Sequence, residues 1–129
     1  MRDLRTAIDA FSTGPSRRPD SGTLEQQFRF GPDFEGFAGH FPGHPLLPAF
    51  VQVLVISALA RILAPESGAL SRVDKAKFLR EIRPGEEIIA RCRKFEVRGC
   101  PAFEGTLDGP EGRAASMTLL FEEQRKISP

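Results

Sequence analysis

The amino-acid sequence predicts an α+β domain in which an antiparallel sheet wraps around one long apolar helix. Two observations carry this prediction. The run Pro45–Ala64 has almost no polar face, and of the four strand-like segments after it, Glu86–Val97 and Arg113–Glu122 alternate between apolar and polar residues. A helix without a polar face must be covered on most sides, whereas alternation is typical of half-buried strands. The chain of 129 residues is expected to form one domain, residues 1–129, in which 1–22 are a variable helix and loop.

The segment before the long helix predicts a short helix, a loop, a strand and a second loop, in that order. Residues 1–12 place apolar residues at helical spacing, and Ser12–Gly22 is rich in Ser, Pro, Gly and Arg, as loops are. Residues 24–30 alternate as a half-buried strand does. Gly31–His44 combines Gly, Phe and Pro, so we expect an irregular loop with a functional role.

The segment after the helix predicts four antiparallel strands. The predicted strands are Val73–Arg80, Glu86–Val97, Phe103–Leu107 and Arg113–Glu122. An antiparallel sheet with one buried face leaves two edges that need covering. We therefore expect a homodimer that is joined through sheet edges.

Composition narrows the classes of partner and compartment. The formal net charge is +1, which requires neither nucleic acid nor a membrane surface as a partner. Cys92 and Cys100, without a secretory signal pattern, predict free thiols in a reducing, cytoplasmic compartment. They form no CxxC pair and lie far in sequence from both histidines, so we expect no metal and no other cofactor. The apolar run Leu46–Ala60 has 15 residues, fewer than the about 20 of a membrane span.

Two sequence motifs resemble those of a known family. Gly39–Pro48, which reads GHFPGHPLLP, resembles the GHFPGHPxxP signature of the 3-hydroxyacyl-acyl-carrier-protein dehydratases. The stretch from Val73 to Glu86 looks like the strand and turn that follow the central helix of that family, and Phe37 stands where it keeps an aromatic residue. The similarity covers roughly residues 24–123. The Pro-His-Arg and Phe-Leu motifs that open many members are absent.

The resemblance implies a hotdog fold, a dimer with two acyl tunnels at the subunit interface, and reversible removal of water from 3-hydroxyacyl thioesters. In this interpretation His40 is the base that takes the C2 proton, as a neutral imidazole can do at physiological pH. The backbone N–H of Ala49, at the start of the helix, would hold the thioester oxygen. A loop histidine that only bonds neighbouring backbone, and ordinary helix initiation at Ala49, are the alternatives. His44 is assigned to structure or to the tunnel lining.

The chain departs from the family at Leu54. The family has Glu or Asp fourteen residues after the histidine, contributed by the partner's helix, and this helix carries no acid. Three explanations stay open. In the first, His40 performs both proton transfers, helped by water or by a loop acid, Asp33 or Glu35. In the second, a related chain supplies the carboxylate, and in the third the protein binds acyl thioesters without dehydrating them.

Several apolar residues are candidates for the wall of an acyl tunnel. They are Phe37, Phe41, Phe50, Leu54 and Phe78. The alternative is that most of them are simple core, because tunnels and cores have the same composition. The run Leu47–Gln52 also resembles short dehydratase-like proteins of polyene and other specialised lipid pathways. The alternative for Gln52 is a buried side chain that bonds a backbone group.

A basic cluster surrounds one predicted strand. Its members are Arg72, Lys75, Lys77, Arg80 and Arg83. Acyl carrier proteins are acidic, so the cluster could steer such a partner, although charge runs are commonly just solvated faces. The sequence thus predicts a 3-hydroxyacyl thioester dehydratase, and its alternatives are a non-catalytic acyl-binding subunit of a dehydratase complex and a hotdog thioesterase. The sequence specifies neither the length of the acyl chain nor whether the acyl group is carried by a protein or by coenzyme A.

Overall fold

A computed structural model describes residues 4–34 and 45–122 of the chain. In chain order its elements are α1 (Leu4–Asp9), β1 (Ser12–Asp20), β2 (Thr23–Arg29), α2 (Ala49–Leu63), β3 (Leu70–Phe78), β4 (Glu87–Val97), β5 (Cys100–Gly109) and β6 (Gly112–Phe121). The strands form one antiparallel sheet with the order β1-β2-β4-β5-β6-β3. Helix α2 lies on one face of this sheet, chiefly against β4 and β2.

The core lies between α2 and the face of the sheet that the alternation predicts. Its strand residues include Ile88, Ala90 and Cys92 of β4 and Ala115, Met117, Leu119 and Phe121 of β6, which are all buried. The predicted period of these strands is therefore confirmed. Helix α2 packs tightly on the sheet at Gly105, where an added Cβ would overlap the side chain of Ile56.

A cluster of phenylalanine rings anchors the N-terminal part of the chain to this core. Phe11 contacts Phe34 edge to face with ring centroids 5.3 Å apart, and the rings of Phe30 and Phe34 are 4.7 Å apart. Ile8 of α1 is also buried. The short helix that was expected within residues 1–12 is thus present and packed.

The prediction of a loop over Ser12–Gly22 is wrong, because this segment contains β1. The strand lies at the edge of the sheet, its residues are mostly exposed, and its pairing with β2 is interrupted by two irregularities. A strand exposed on both faces shows no alternation. Pro15 and Pro19 are compatible with it because an edge strand can leave N–H positions unpaired.

The predicted helix Pro45–Ala64 is also too long at its start. Helix α2 begins at Ala49, and Pro48 is in an extended conformation with φ −63° and ψ 154°. A residue that precedes proline is pushed away from helical geometry, which disfavours a helix through Leu47. The expectation that the helix is covered on most sides is met only in part, because Phe50 and Ile62 are 60% and 54% exposed.

The remaining strands differ from the predicted ranges mainly at their ends. Strand β5 extends from Cys100 to Gly109 because a tight turn at Arg98 and Gly99, both with positive φ, pairs it with β4 from its first residue. Strand β3 lies at the second edge of the sheet and is exposed along nearly its whole length.

Candidate functional site

The start of α2 presents backbone N–H groups that no described residue accepts a hydrogen bond from. Pro48 occupies the N-cap position and makes no side-chain hydrogen bond there. The N–H groups of Val51 and Gln52 donate to the carbonyl of Pro48, at 3.1 and 3.2 Å. Those of Ala49 and Phe50 have no hydrogen-bond partner among the described residues. The first turn therefore offers two donors at the positive end of the helix dipole.

A mainly apolar cavity of about 340 Å³ opens beside this turn. Its walls come from two segments that are distant in sequence: Leu46, Leu47, Pro48, Ala49 and Gln52 on one side, and Phe78, Leu79, Arg80 and Glu81 on the other. The cavity brings together two residues that the sequence analysis singled out separately, Ala49 and Phe78. An acyl thioester needs such an apolar wall next to donors for its carbonyl oxygen.

Gln52 is one of the few polar side chains in the core, with 4% of its surface exposed. Its Nε2 donates a hydrogen bond to the carbonyl of Leu47 at 3.0 Å. This is the buried glutamine with a backbone partner that was one interpretation of its sequence. Its Oε1 is buried and has no hydrogen-bond partner among residues 4–34 and 45–122.

Leu54 is partly buried and packs against the core cluster, and it does not line the cavity. Helix α2 carries no acid along its length. Asp33, one of the loop acids considered, is exposed and lies outside the cavity wall. The carboxylate that does line it is Glu81, which is paired with Arg83 at 3.3 Å. Sequence spacing gave no signal for Glu81, because only the chain path brings it to the helix start.

The basic cluster is divided by its ion pairs. Arg72 is paired with Asp74 at 2.9 Å, and Arg80 with Glu111 at 3.2 Å. Lys75 and Lys77 are exposed on β3, and no ion pair holds either of them within the described residues. The free positive charge of the cluster is thus concentrated on these two lysines.

Several residues named in the sequence analysis lie outside the described residues. These are Glu35, Phe37, His40, Phe41 and His44. Their roles remain predictions from the motif.

Within residues 4–34 and 45–122, no group of three or more metal-binding side chains comes together. Among the same residues, no helix is long and apolar enough to cross a membrane. Cys92 and Cys100 are both free, and burial raises the pKa of the Cys92 thiol to about 12.

Comparison with known proteins identifies relatives of this chain. The family model for the ApeI-like dehydratases, described as ApeI dehydratase, matches residues 16–111. The 3-hydroxyacyl-[acyl-carrier-protein] dehydratase FabZ of Thermus thermophilus is 30% identical over 100 residues, covering 67% of this chain and 68% of its own. The Bacillus pumilus FabZ is 32% identical over 99 residues, covering 66% of each chain.

Solved structures agree on the fold. The dehydratase heterocomplex ApeI:P from Xenorhabdus doucetiae superimposes with a TM-score of 0.72 at 22% identity, covering 84% of this chain and 95% of that one. A hypothetical thioesterase with coenzyme A from Streptococcus pneumoniae gives a TM-score of 0.67 at 8% identity, covering 95% and 97%. The predicted hotdog fold is thereby confirmed. With the family model matching most of its length, the chain belongs to the ApeI-like dehydratase family.

Proposed function

We propose that this protein removes water from 3-hydroxyacyl thioesters to give 2-enoyl thioesters. The observation that carries the proposal is the apolar cavity beside the free N–H groups of Ala49 and Phe50, immediately after the His-containing signature. Abstraction of a C2 proton from a thioester places negative charge on the carbonyl oxygen. Donors at a helix start stabilise that charge without any metal or cofactor.

In the proposed reaction His40 takes the C2 proton, and the electrons of that C–H bond form the C2–C3 double bond. The C3–O bond breaks, and the departing hydroxide needs a proton to leave as water. The imidazolium formed at His40 can return the same proton, so the elimination balances with one residue. A carboxylate from a partner would improve the step, since one general acid contributes typically 10²–10⁴-fold.

We propose that a partner chain docks along the β3 edge. The β1 edge is interrupted and carries Pro15 and Pro19, which hinders strand pairing. The β3 edge instead exposes Val73 and Phe78, which are 39% and 43% exposed. A homodimer is the simplest occupant. A related dehydratase chain is the alternative, because the similar structure from Xenorhabdus doucetiae is a heterocomplex.

The acyl group arrives on an acyl carrier protein or on coenzyme A. The exposed Lys75 and Lys77 are the part of the basic cluster best suited to an acidic carrier, because neither forms an ion pair with a described residue. The two free cysteines support a cytoplasmic location.

The direct test measures hydration of a 2-enoyl carrier-protein thioester and dehydration of the 3-hydroxy form. The expected result is turnover that falls at least about 10²-fold in His40→Ala, with His44→Ala as the matched control. Release of free thiol instead of water exchange would identify a thioesterase.

The missing acid supports a second candidate, a non-catalytic acyl-binding subunit. Leu54→Glu restores the family residue and is expected to raise turnover by about tenfold or more if an acid is limiting. A chain that is inactive alone, unresponsive to this change and active only beside a homologous dehydratase would support the second candidate.

A further inference from the structure

The start of α2 is fixed in place without being capped. A Ser or Asp at the N-cap would normally bond the N–H groups of the first turn, but Pro48 has no such side chain. Two hydrogen bonds of the Leu47 backbone fix the position of the helix start instead. Its N–H donates to the carbonyl of Ile82 at 2.8 Å, and its carbonyl accepts from Gln52 Nε2 at 3.0 Å. These bonds fix the residue that precedes Pro48, and they leave the N–H groups of Ala49 and Phe50 without a partner among the described residues.

Packing alone is a poor reason for a glutamine at position 52. Gln52 is 4% exposed, and its buried Oε1 has no hydrogen-bond partner in the part of the chain that the structure describes. A buried acceptor that lacks a donor is unfavourable, and leucine or methionine would fill a similar volume without it. What the amide supplies, and an apolar side chain cannot, is the donor for the Leu47 carbonyl.

We propose that Gln52 is a positioning residue that aims the N–H groups of Ala49 and Phe50 into the cavity, where they bind the thioester oxygen. It acts through Leu47, whose peptide leads into Pro48 and the first helical residue. The inference rests on the proposed function, since it assigns that oxygen to the helix start. Loss of the amide would leave the acyl chain bound in the cavity but let the donors drift from the oxygen.

The first experiment follows the amide signals of Ala49 and Phe50 by NMR in the ¹⁵N-labelled full chain, titrated with hexanoyl-coenzyme A. This thioester has no 3-hydroxyl group, so the readout does not depend on turnover. Both amide protons are expected to move downfield in the unsubstituted protein, and Gln52→Met should reduce the shift by about half or more. The melting temperature of Gln52→Met should stay within about 4 °C, because an unpaired acceptor is removed together with the donor. Ser57→Ala, which removes the other buried polar side chain of α2, is the matched control.

The second experiment uses Gln52→Glu and pH. A protonated glutamic acid can donate to the Leu47 carbonyl as the amide does, whereas the ionised form cannot. Burial raises the pKa of a carboxyl, so the variant should behave like the unsubstituted protein at low pH and lose the function as pH rises through that pKa. The ratio of its kcat to that of the unsubstituted protein is expected to fall about tenfold from pH 5.5 to pH 8.5, with KM nearly unchanged.

The outcomes separate this inference from the proposed reaction. Amide shifts that Gln52→Met reduces, in a protein without water exchange, would retain the positioning role and reject dehydration. Normal dehydration with unchanged shifts in Gln52→Met would overturn the positioning role and leave the reaction intact. Amides that hexanoyl-coenzyme A does not move in the unsubstituted protein would also overturn it.

Discussion

Cys92 lies on the buried face of β4, opposite Leu24 and Gly105 on the neighbouring strands, with no exposed surface. Desolvation raises the pKa of this thiol from 9.0 to about 12. The folded protein therefore favours the neutral thiol, and the stability that this provides is fully present below pH 9. It is lost as pH rises from about 9 toward 12, where an unfolded chain would already be ionised.

We expect the free energy of unfolding of the unsubstituted protein to decrease with pH above 9 more steeply than that of Cys92→Ala. Urea titrations between pH 7 and pH 10.5 measure this difference, because both variants share every other titrating group. Cys100→Ala is the control, since Cys100 is only half-buried. If the free energy of unfolding depends on pH equally in all three proteins, burial does not raise the pKa of the Cys92 thiol.

At the scale of elements, the packing of α2 on β5 limits the size of the side chain at position 105. A Cβ on Gly105 of β5 would overlap Ile56 of α2. Gly105→Ala is expected to destabilise the fold by about 1–3 kcal/mol, because a packed core resists added volume. Gly22→Ala is the matched control, since the added Cβ would lie 3.8 Å from both Asp20 Oδ1 and the carbonyl oxygen of Lys94, which is an ordinary van der Waals distance.

Chemical unfolding of Gly105→Ala and of the double variant Gly105→Ala with Ile56→Ala measures the coupling. Ile56→Ala should itself cost about 2–5 kcal/mol, but the two changes together should cost less than their sum. Strict additivity would show that the strain at position 105 is relieved somewhere other than Ile56.

Elements with a single buried face were predictable from sequence, and elements decided by chain path were not. Ile88, Ala90 and Cys92 alternate because one face of β4 is covered, and this period can be read without coordinates. Strand β1 has no covered face and contains two prolines, so its sequence has the composition of a loop. Local chemistry cannot distinguish these two cases, because the partner strand supplies the missing information.

The candidate site divides in the same way. The helix could be predicted from its apolar run, although its start at Ala49, after the extended Pro48, lies four residues beyond the predicted Pro45. The cavity could not, since it needs the loop after β3 to bring Leu79 and Glu81 against the helix. The hydrogen bond from Gln52 to the Leu47 carbonyl likewise depends on an extended segment before the helix rather than on helical spacing.

At the scale of the whole molecule, exposed apolar residues lie at the start of α2 and along the β3 edge, and Ile62, Ile89 and Val97 are exposed elsewhere. Phe50 is 60% exposed. Val73 and Phe78 of β3 are 39% and 43% exposed, and Leu79, which follows β3, is 59% exposed. Phe78 and Leu79 line one cavity with the start of α2, so the helix face and the strand edge form a continuous surface. Contiguous apolar surface of this kind is unfavourable in water and is typical of an interface.

We expect the purified chain to have twice its 14.2 kDa mass in solution, or to pair with a homologous chain that is present. Val73→Glu places a charge on the β3 edge, where it would be desolvated by a partner strand, and should yield the single-chain mass by light scattering. Arg18→Glu makes a charge change of similar exposure on β1, at the opposite edge, and should leave the assembly intact. Dissociation by Arg18→Glu but not by Val73→Glu would move the interface to β1. The family resemblance places the acyl tunnels at the subunit interface, so a Val73→Glu protein that is a single chain should also lose dehydratase activity, whereas a site complete within one chain would retain it.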